Sequence, residues 1–124
     1  MASVNKVILL GNVGRDPDIQ HLEGGITVAK FPLATTETFK DKNGNKVDQT
    51  EWHNIVAWRG LADIAEKIIK KGIQVYIEGK IKTRKREDKD KNVKYITEII
   101  ADVITVTGRK NDASNPSSHN SEYQ

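Results

Sequence analysis

Two tryptophans, Trp52 and Trp58, share the stretch TEWHNIVAWRG (residues 50 to 60) in a chain with an aromatic content of 6%. Read as a strand, the stretch places Trp52, Asn54, Val56 and Trp58 on one face and Glu51, His53, Ile55, Ala57 and Arg59 on the other, because strand side chains alternate. If Ile55 and Ala57 point into a core, both indoles lie outside. Two uses of such a pair stay open on this segment alone: packing under a loop or at a subunit contact, or offering flat faces to a ligand. The segment KIKTRKREDKDKNVK (80 to 94) adds eight basic and three acidic residues, so it carries +5 in a chain of formal charge +3. A basic run by itself is equally a solvated face or a protected edge strand. Joined to aromatics it says more. Phe39 and the cations Lys82, Arg84, Lys85 and Arg86 are expected to frame the surface that holds the indoles. Interleaved aromatics and cations suit single-stranded nucleic acid, whose unstacked bases lie on aromatic faces while Lys and Arg track the phosphates.

Other chemistries find no support. The chain has no cysteine, which excludes disulfide scaffolds, thiolate metal sites and cysteine nucleophiles together. His21, His53 and His119 are far apart and form no HExxH pattern, so no metal site is expected. His53 fits a structural or interface hydrogen bond better than a catalytic role. GNVG (11 to 14) has the form of a phosphate-clamping loop, but it runs into GRDP and not into a helix, which makes it a turn or bulge. DKNGN (41 to 45) has its glycine misplaced for a calcium loop and lacks the distal glutamate. No nucleophile elbow, Walker loop or paired-carboxylate signature is present. The reading is therefore of a protein without catalytic residues, metal or cofactor. A helix-turn-helix and zinc-finger spacing are missing too, which argues against a reader of duplex DNA.

The elements that would position these residues can be read from alternation and turn chemistry. A length of 124 residues supports one domain with a real core, expected over 1–107. The polar, Ser/Asn-rich remainder, 108–124, has no periodicity and reads as a disordered tail. Strands are expected at 4–13, 26–39, 50–58, 73–86 and 93–107, with turns at GRDP, HLEGG and Asn43-Gly44 and a charged, flexible connection at EDKDKN. Pro32 implies an edge or a bulge. One helix is expected between the third and fourth strands, with Leu61, Ala62, Ile64, Ala65, Ile68 and Ile69 on one stripe and Gly72 as its stop. Three strands, one helix and two strands is the order of the OB-fold, a five-stranded barrel. In such a barrel Val75, Ile77 and Ile81 would face inward, opposite Gln74, Tyr76, Lys80, Lys82 and Arg84. No apolar run is long enough for a signal peptide or a membrane span, so a soluble, cytoplasmic chain is expected.

VNKVILLGNVGRDP, the LAT of the second strand, QTEWHNIV and KKGIQVYIEGKIKTRK, with the single helix between the last two, resemble the bacterial single-stranded DNA-binding protein family from about Val4 to Val106. The resemblance implies a homotetramer of OB-folds that binds single-stranded DNA with little sequence preference and protects it in replication, recombination and repair. It places stacking aromatics at Phe39, Trp52 and Trp58 and phosphate contacts at Lys6, Lys42, Lys71, Lys82, Arg84 and Lys85. Asn54 falls where the family often has a cation, and His53, Gln74 and Tyr76 match positions used at subunit contacts.

Two departures stand out. After TRK the family often carries an aromatic, where this chain has Arg86, which trades stacking for charge and implies a steeper salt dependence. Family members commonly end in an acidic tip with a terminal phenylalanine that recruits replication and repair proteins. This chain ends SHNSEYQ, so recruitment by that route is not expected. The alternative reading is an OB-fold interaction module, such as a primosome accessory protein or an oligosaccharide binder.

Overall fold

The computed structural model describes residues 1–108; of the tail expected over 108–124, Gly108 ends the last strand and the rest lies outside the described residues. Six strands and one helix follow in the order β1 (Val7–Val13), β2 (Asp18–Leu22), β3 (Ile26–Lys40), β4 (Lys46–Trp58), α1 (Gly60–Ile68), β5 (Gln74–Glu87) and β6 (Val93–Gly108). The five expected strands are β1, β3, β4, β5 and β6. The additional β2 is a short polar ribbon, DIQHL, paired antiparallel with the start of β3.

Hydrogen bonding runs β1–β5–β6–β4–β3, and β3 returns to β1 through Asn12↔Ala34 and Val13↔Leu33, which closes the ring. This closed five-stranded ring with one helix between β4 and β5 is the OB-fold. One edge of β3 is shared by β2 and, further along, by β1. Pro32 sits where that edge passes from one partner to the other: its carbonyl accepts the Gly14 N–H at 3.0 Å, and no donor is needed there. The expected edge position of Pro32 is thus present.

Alternation builds the core. Ala29, Phe31 and Leu33 of β3, Ile55 and Ala57 of β4, Val75 and Ile77 of β5, and Ile99 and Ala101 of β6 meet inside the ring. Ala62, Ala65 and Ile69 cover them from the helix side. Positions three and four apart share a helix face, which puts these residues on the barrel, while Ile64 and Ile68 turn outward and are exposed, contrary to the broader stripe expected. Ile81 also departs from expectation. It follows the inward parity of Val75 and Ile77 yet is 48% exposed, because β5 runs past β1 there. The Asn5 side chain closes that edge, accepting the Ile81 N–H and donating to its carbonyl, each at 2.9 Å.

Beyond the barrel, β3–β4 and β5–β6 continue as two long hairpin arms. EDKDKN forms an ordered turn at the tip of the second arm, where Asp88 accepts the backbone N–H groups of Asp90 and Asn92 at 2.9 Å.

Candidate nucleic-acid interface

The groove originates in a parting of strands. β4 and β6 run parallel and pair only through Ile55↔Ile99 and Val56↔Ile100, after which they separate and the two arms diverge. The outward face of β4 on the way to that separation carries Trp58, Val56, Asn54 and Trp52, as alternation requires. Val56 is nevertheless 2% exposed, because residues of β3, β5 and β6 stand around it and make it the floor of a cleft.

Two adjoining hollows occupy the cleft. The larger, of about 440 Å³, is bordered by Trp58, Leu22, Lys80, Lys82, Arg84 and Glu98. The smaller, of about 250 Å³, is bordered by Arg15, Asn54, Arg84, Arg86, Ile96 and Glu98. Lys30, Val56, Arg84 and Glu98 belong to both, so the hollows form one continuous groove. Trp58 is 43% exposed and Trp52 61%, which leaves open indole face for stacking. The anchor of Trp52 is specific. A Cβ on Gly14 would come within 2.5 Å of the Trp52 ring, so the glycine next to Arg15 is what lets the indole settle against the first turn. GNVG is therefore a turn, as its sequence implies, and one that seats an aromatic.

The structure brings Asn54, Trp58, Lys82, Arg84 and Arg86 to this one groove, and Trp52 lies beyond its end on the same face of β4, against Gly14. Phe39 does not join them. It pairs with Val47 at odd register, on the ribbon face shared with His53 and opposite that of Trp52, which pairs with Ala34. Lys85 likewise lies on the reverse of its arm, paired with Tyr95, whereas Lys82, Arg84 and Arg86 take the groove side. Lys42 is in the turn between β3 and β4, and Lys71 is in the turn after α1, where its backbone N–H donates to Asp16 at 2.8 Å. Lys6 is engaged elsewhere, in an ion pair with Glu78 at 3.0 Å.

That ion pair belongs to a second surface, the outer face of β1, β5 and β6. The Tyr76 hydroxyl donates to the Glu78 carboxylate, and Ile8, Leu10 and Val103 are exposed nearby, with Leu10 paired to Tyr76 and Ile8 to Glu78. Hydrogen bonding to Tyr76, and then to Lys6, holds the Glu78 carboxyl below the usual carboxylate range. The same bond, with the adjacent charge, raises the Tyr76 phenol. Gln74 shares this face and accepts the Thr107 hydroxyl at 3.0 Å on its side chain. His53 is not there: it sits on the inward side of the β3–β4 arm, its Nε2 2.8 Å from the Thr35 hydroxyl.

The model of the Single-strand binding protein family matches residues 4–107. The chain belongs to that family. It is 46% identical over 113 residues to Single-stranded DNA-binding protein 1 of Xylella fastidiosa, a match covering 90% of this chain and 83% of the relative. It is 42% identical over 121 residues to the Single-stranded DNA-binding protein of Neisseria meningitidis, covering 98% of this chain and 70% of the relative. Among solved structures, the Plasmodium falciparum SSB complex with ssDNA superposes with a TM-score of 0.74 at 42% identity, over 81% of this chain and 88% of that one.

Within this single-strand binding fold, several groove residues carry little signal in the sequence. Lys30 is a single cation within the apolar run from Val28 to Ala34, and Arg15, Gln20 and Leu22 lie on or beside a ribbon too short and polar to be read as a strand. Gly14 has a sequence signal, the GxxG form, but what it accommodates is 38 residues away. Glu98 is one acidic position in a long alternating strand, and its importance comes from its neighbours alone. Among the described residues no group of acidic and histidine side chains could hold a metal ion, and no helix is long and apolar enough to cross a membrane.

Proposed function

We propose that this protein binds single-stranded DNA in the groove between its two arms, without catalysing a reaction on it, and so protects it in cytoplasmic replication, recombination and repair. The observation that carries the reading is the juxtaposition of two outward indoles with a cleft bordered by Lys30, Lys80, Lys82, Arg84 and Arg86. Bases stack on Trp52 and Trp58, and the lysine ammonium groups and the Arg86 guanidinium replace counterions along the backbone. Any base offers a flat face, so the mode is tolerant of sequence. Membership of the family and the names of its relatives support this, and they give no support to an oligosaccharide-binding or primosome-accessory module.

We also propose a single folded domain, a homotetramer, and a longer strand path than the groove alone. The exposed Ile8, Leu10 and Val103 around Tyr76 and Gln74 support a subunit contact on the β1–β5–β6 face, with His53 at a separate contact on the β3–β4 arm. Phe39, Lys42 and Lys85 then engage DNA that passes round the arms, and Lys71 engages it beside the first turn. Lys6, held by Glu78, contributes least.

The test is quenching of tryptophan fluorescence by oligo-dT, a duplex of equal length and a glycan, at several salt concentrations. Strong, salt-sensitive quenching by oligo-dT alone is the expected result. Equal quenching by the duplex would overturn the single-strand reading. Sedimentation at micromolar concentration tests the assembly, and a monomeric mass would overturn it.

A further inference from the structure

In a groove made for a polyanion, a carboxylate on the floor is out of place. Glu98 is such a group: it is 8% exposed, it lies opposite Lys82 in the β5–β6 ladder, and it borders both hollows. Its carboxylate accepts Arg84 Nε at 3.1 Å and Arg84 Nη2 at 3.4 Å. A buried carboxylate without a partner is strongly unfavourable, so this two-point contact holds the guanidinium firmly. Three N–H groups of Arg84 remain beyond these two bonds, the residue borders both hollows, and 44% of its side chain is exposed. The described residues contain one other ion pair, Lys6 with Glu78, so neither Lys80, Lys82 nor Arg86 is neutralised in this way.

We propose that Glu98 is a positioning residue that withholds Arg84 from the phosphates and presents it to the bases. The inference rests on the reading of the groove as the DNA site. Two charges that cancel within a few ångströms attract no counterion for a phosphate to displace, so Arg84 adds little to the salt dependence of binding. What the pair does present is a fixed planar cation and a free donor edge. Bases stack on guanidinium planes, and every base carries ring or carbonyl acceptors on its edge. Of the three cations on the groove side of β5 beyond Ile81, Lys82 and Arg86 follow the backbone, and Arg84 between them reads bases without regard to identity.

The experiment is a salt series of oligo-dT affinities for the wild type, Lys82→Gln, Glu98→Gln and the double variant Arg84→Gln/Glu98→Gln, with an abasic oligonucleotide of equal length as the second ligand. Lys82→Gln is expected to flatten the slope of log K against log salt by about 0.7, the value for one phosphate on a single strand. The double variant removes both charges and leaves no unpaired carboxylate, so it is expected to keep the wild-type slope, to weaken oligo-dT and to leave the abasic strand unaffected. Glu98→Gln frees the guanidinium and is expected to steepen the slope by about 0.7 and tighten binding at low salt. A flattened slope for the double variant, or equal losses on both oligonucleotides, would make Arg84 an ordinary phosphate contact and overturn the proposal. An unchanged slope for Lys82→Gln would instead show that the strand avoids the groove, and both readings would fall together. Thermal unfolding reports whether Glu98→Gln remains folded, and if it does not, the results for the double variant decide the matter alone.

Discussion

At the tip of the β3–β4 arm the Asp41 carboxylate accepts the backbone N–H groups of Asn43 and Asn45 at 2.8 and 2.9 Å, and at the tip of the β5–β6 arm Asp88 does the same for Asp90 and Asn92. The backbone closures match as well: Asp41 N–H to Asn45, Gly44 N–H to Asp41, and their counterparts Asp88 to Asn92 and Lys91 to Asp88. The positive-φ position is filled by Gly44 at 83° in one turn and by Lys91 at 64° in the other. The strands behind these turns differ far more. Along the outward face of the first arm Thr36 meets Thr50 and Thr38 donates to Asp48, and the cations of that face outside any ion pair among the described residues, Lys40 opposite Lys46, stand at its tip. Lys82 and Arg86 on the second arm lie in no ion pair among the described residues either, but they border the cleft. A shared turn can thus carry two different surfaces, one whose middle is satisfied by its own polar groups and one that brings cations to the groove.

The largest test of this contrast removes the aromatic side of the groove. Trp58→Ala or Trp52→Ala is expected to weaken oligo-dT binding by about 1–3 kcal/mol at fixed salt, with little dependence on base sequence. Gly14→Ala, which pushes a methyl group against the Trp52 ring, is expected to reproduce part of the Trp52 loss without touching a cation. Unchanged titration curves for both alanine variants would remove the indoles from the site.

The two turns give the next effect, in stability. Gly44→Ala is expected to lower the free energy of unfolding by about 1 kcal/mol, because a side chain disfavours positive φ, and Lys91→Gly to raise it by a few tenths to about 1 kcal/mol. Denaturant titrations of the two variants measure both, and equal signs would show that the turns are alike in hydrogen bonds but not in backbone strain. A smaller effect separates the faces of the second arm. Lys85→Gln is expected to change the salt slope less than Lys82→Gln does, since it lies behind the arm and meets only DNA that wraps round it.

The smallest effect is one of pH, on the β1–β5–β6 face. Because the folded Glu78 carboxyl is held below its ordinary value, its contribution to stability is present above the ordinary carboxylate pKa and fades as pH falls through the lowered one. Tyr76 has the opposite sense: its contribution is present below the ordinary phenol pKa and is lost as pH rises through the raised one. Tyr76→Phe is expected to flatten the melting temperature at both ends of the pH range while leaving oligo-dT affinity in place. A changed affinity would connect this face to the groove.

Much of this organisation is legible before folding is considered. Period-two alternation places Trp52, Asn54 and Trp58 together, and the apolar stripe places the helix between β4 and β5, although it ends at Ile68 and not at the expected stop, Gly72, which lies in the turn beyond. Lys85 was equally legible as the odd member of Lys82, Arg84 and Arg86, since alternation alone sends it to the reverse face. Phe39 was not, because its face depends on which β3 residue meets which β4 residue. The EDKDKN connection reads as flexible in the sequence because charge density hides a turn that its aspartate closes.

Local chemistry therefore determined the strands, the helix, the turns and the common face of the two indoles, each of which follows from residues within a few positions of one another. Pairing between distant strands decided the rest. The closure of β3 onto β1, the parting of β4 from β6 and the register that brings Glu98 within reach of Arg84 join residues 14 to 44 positions apart in sequence. Such contacts are selected by what the whole barrel buries, and an alternating sequence is compatible with more than one register until that burial is complete.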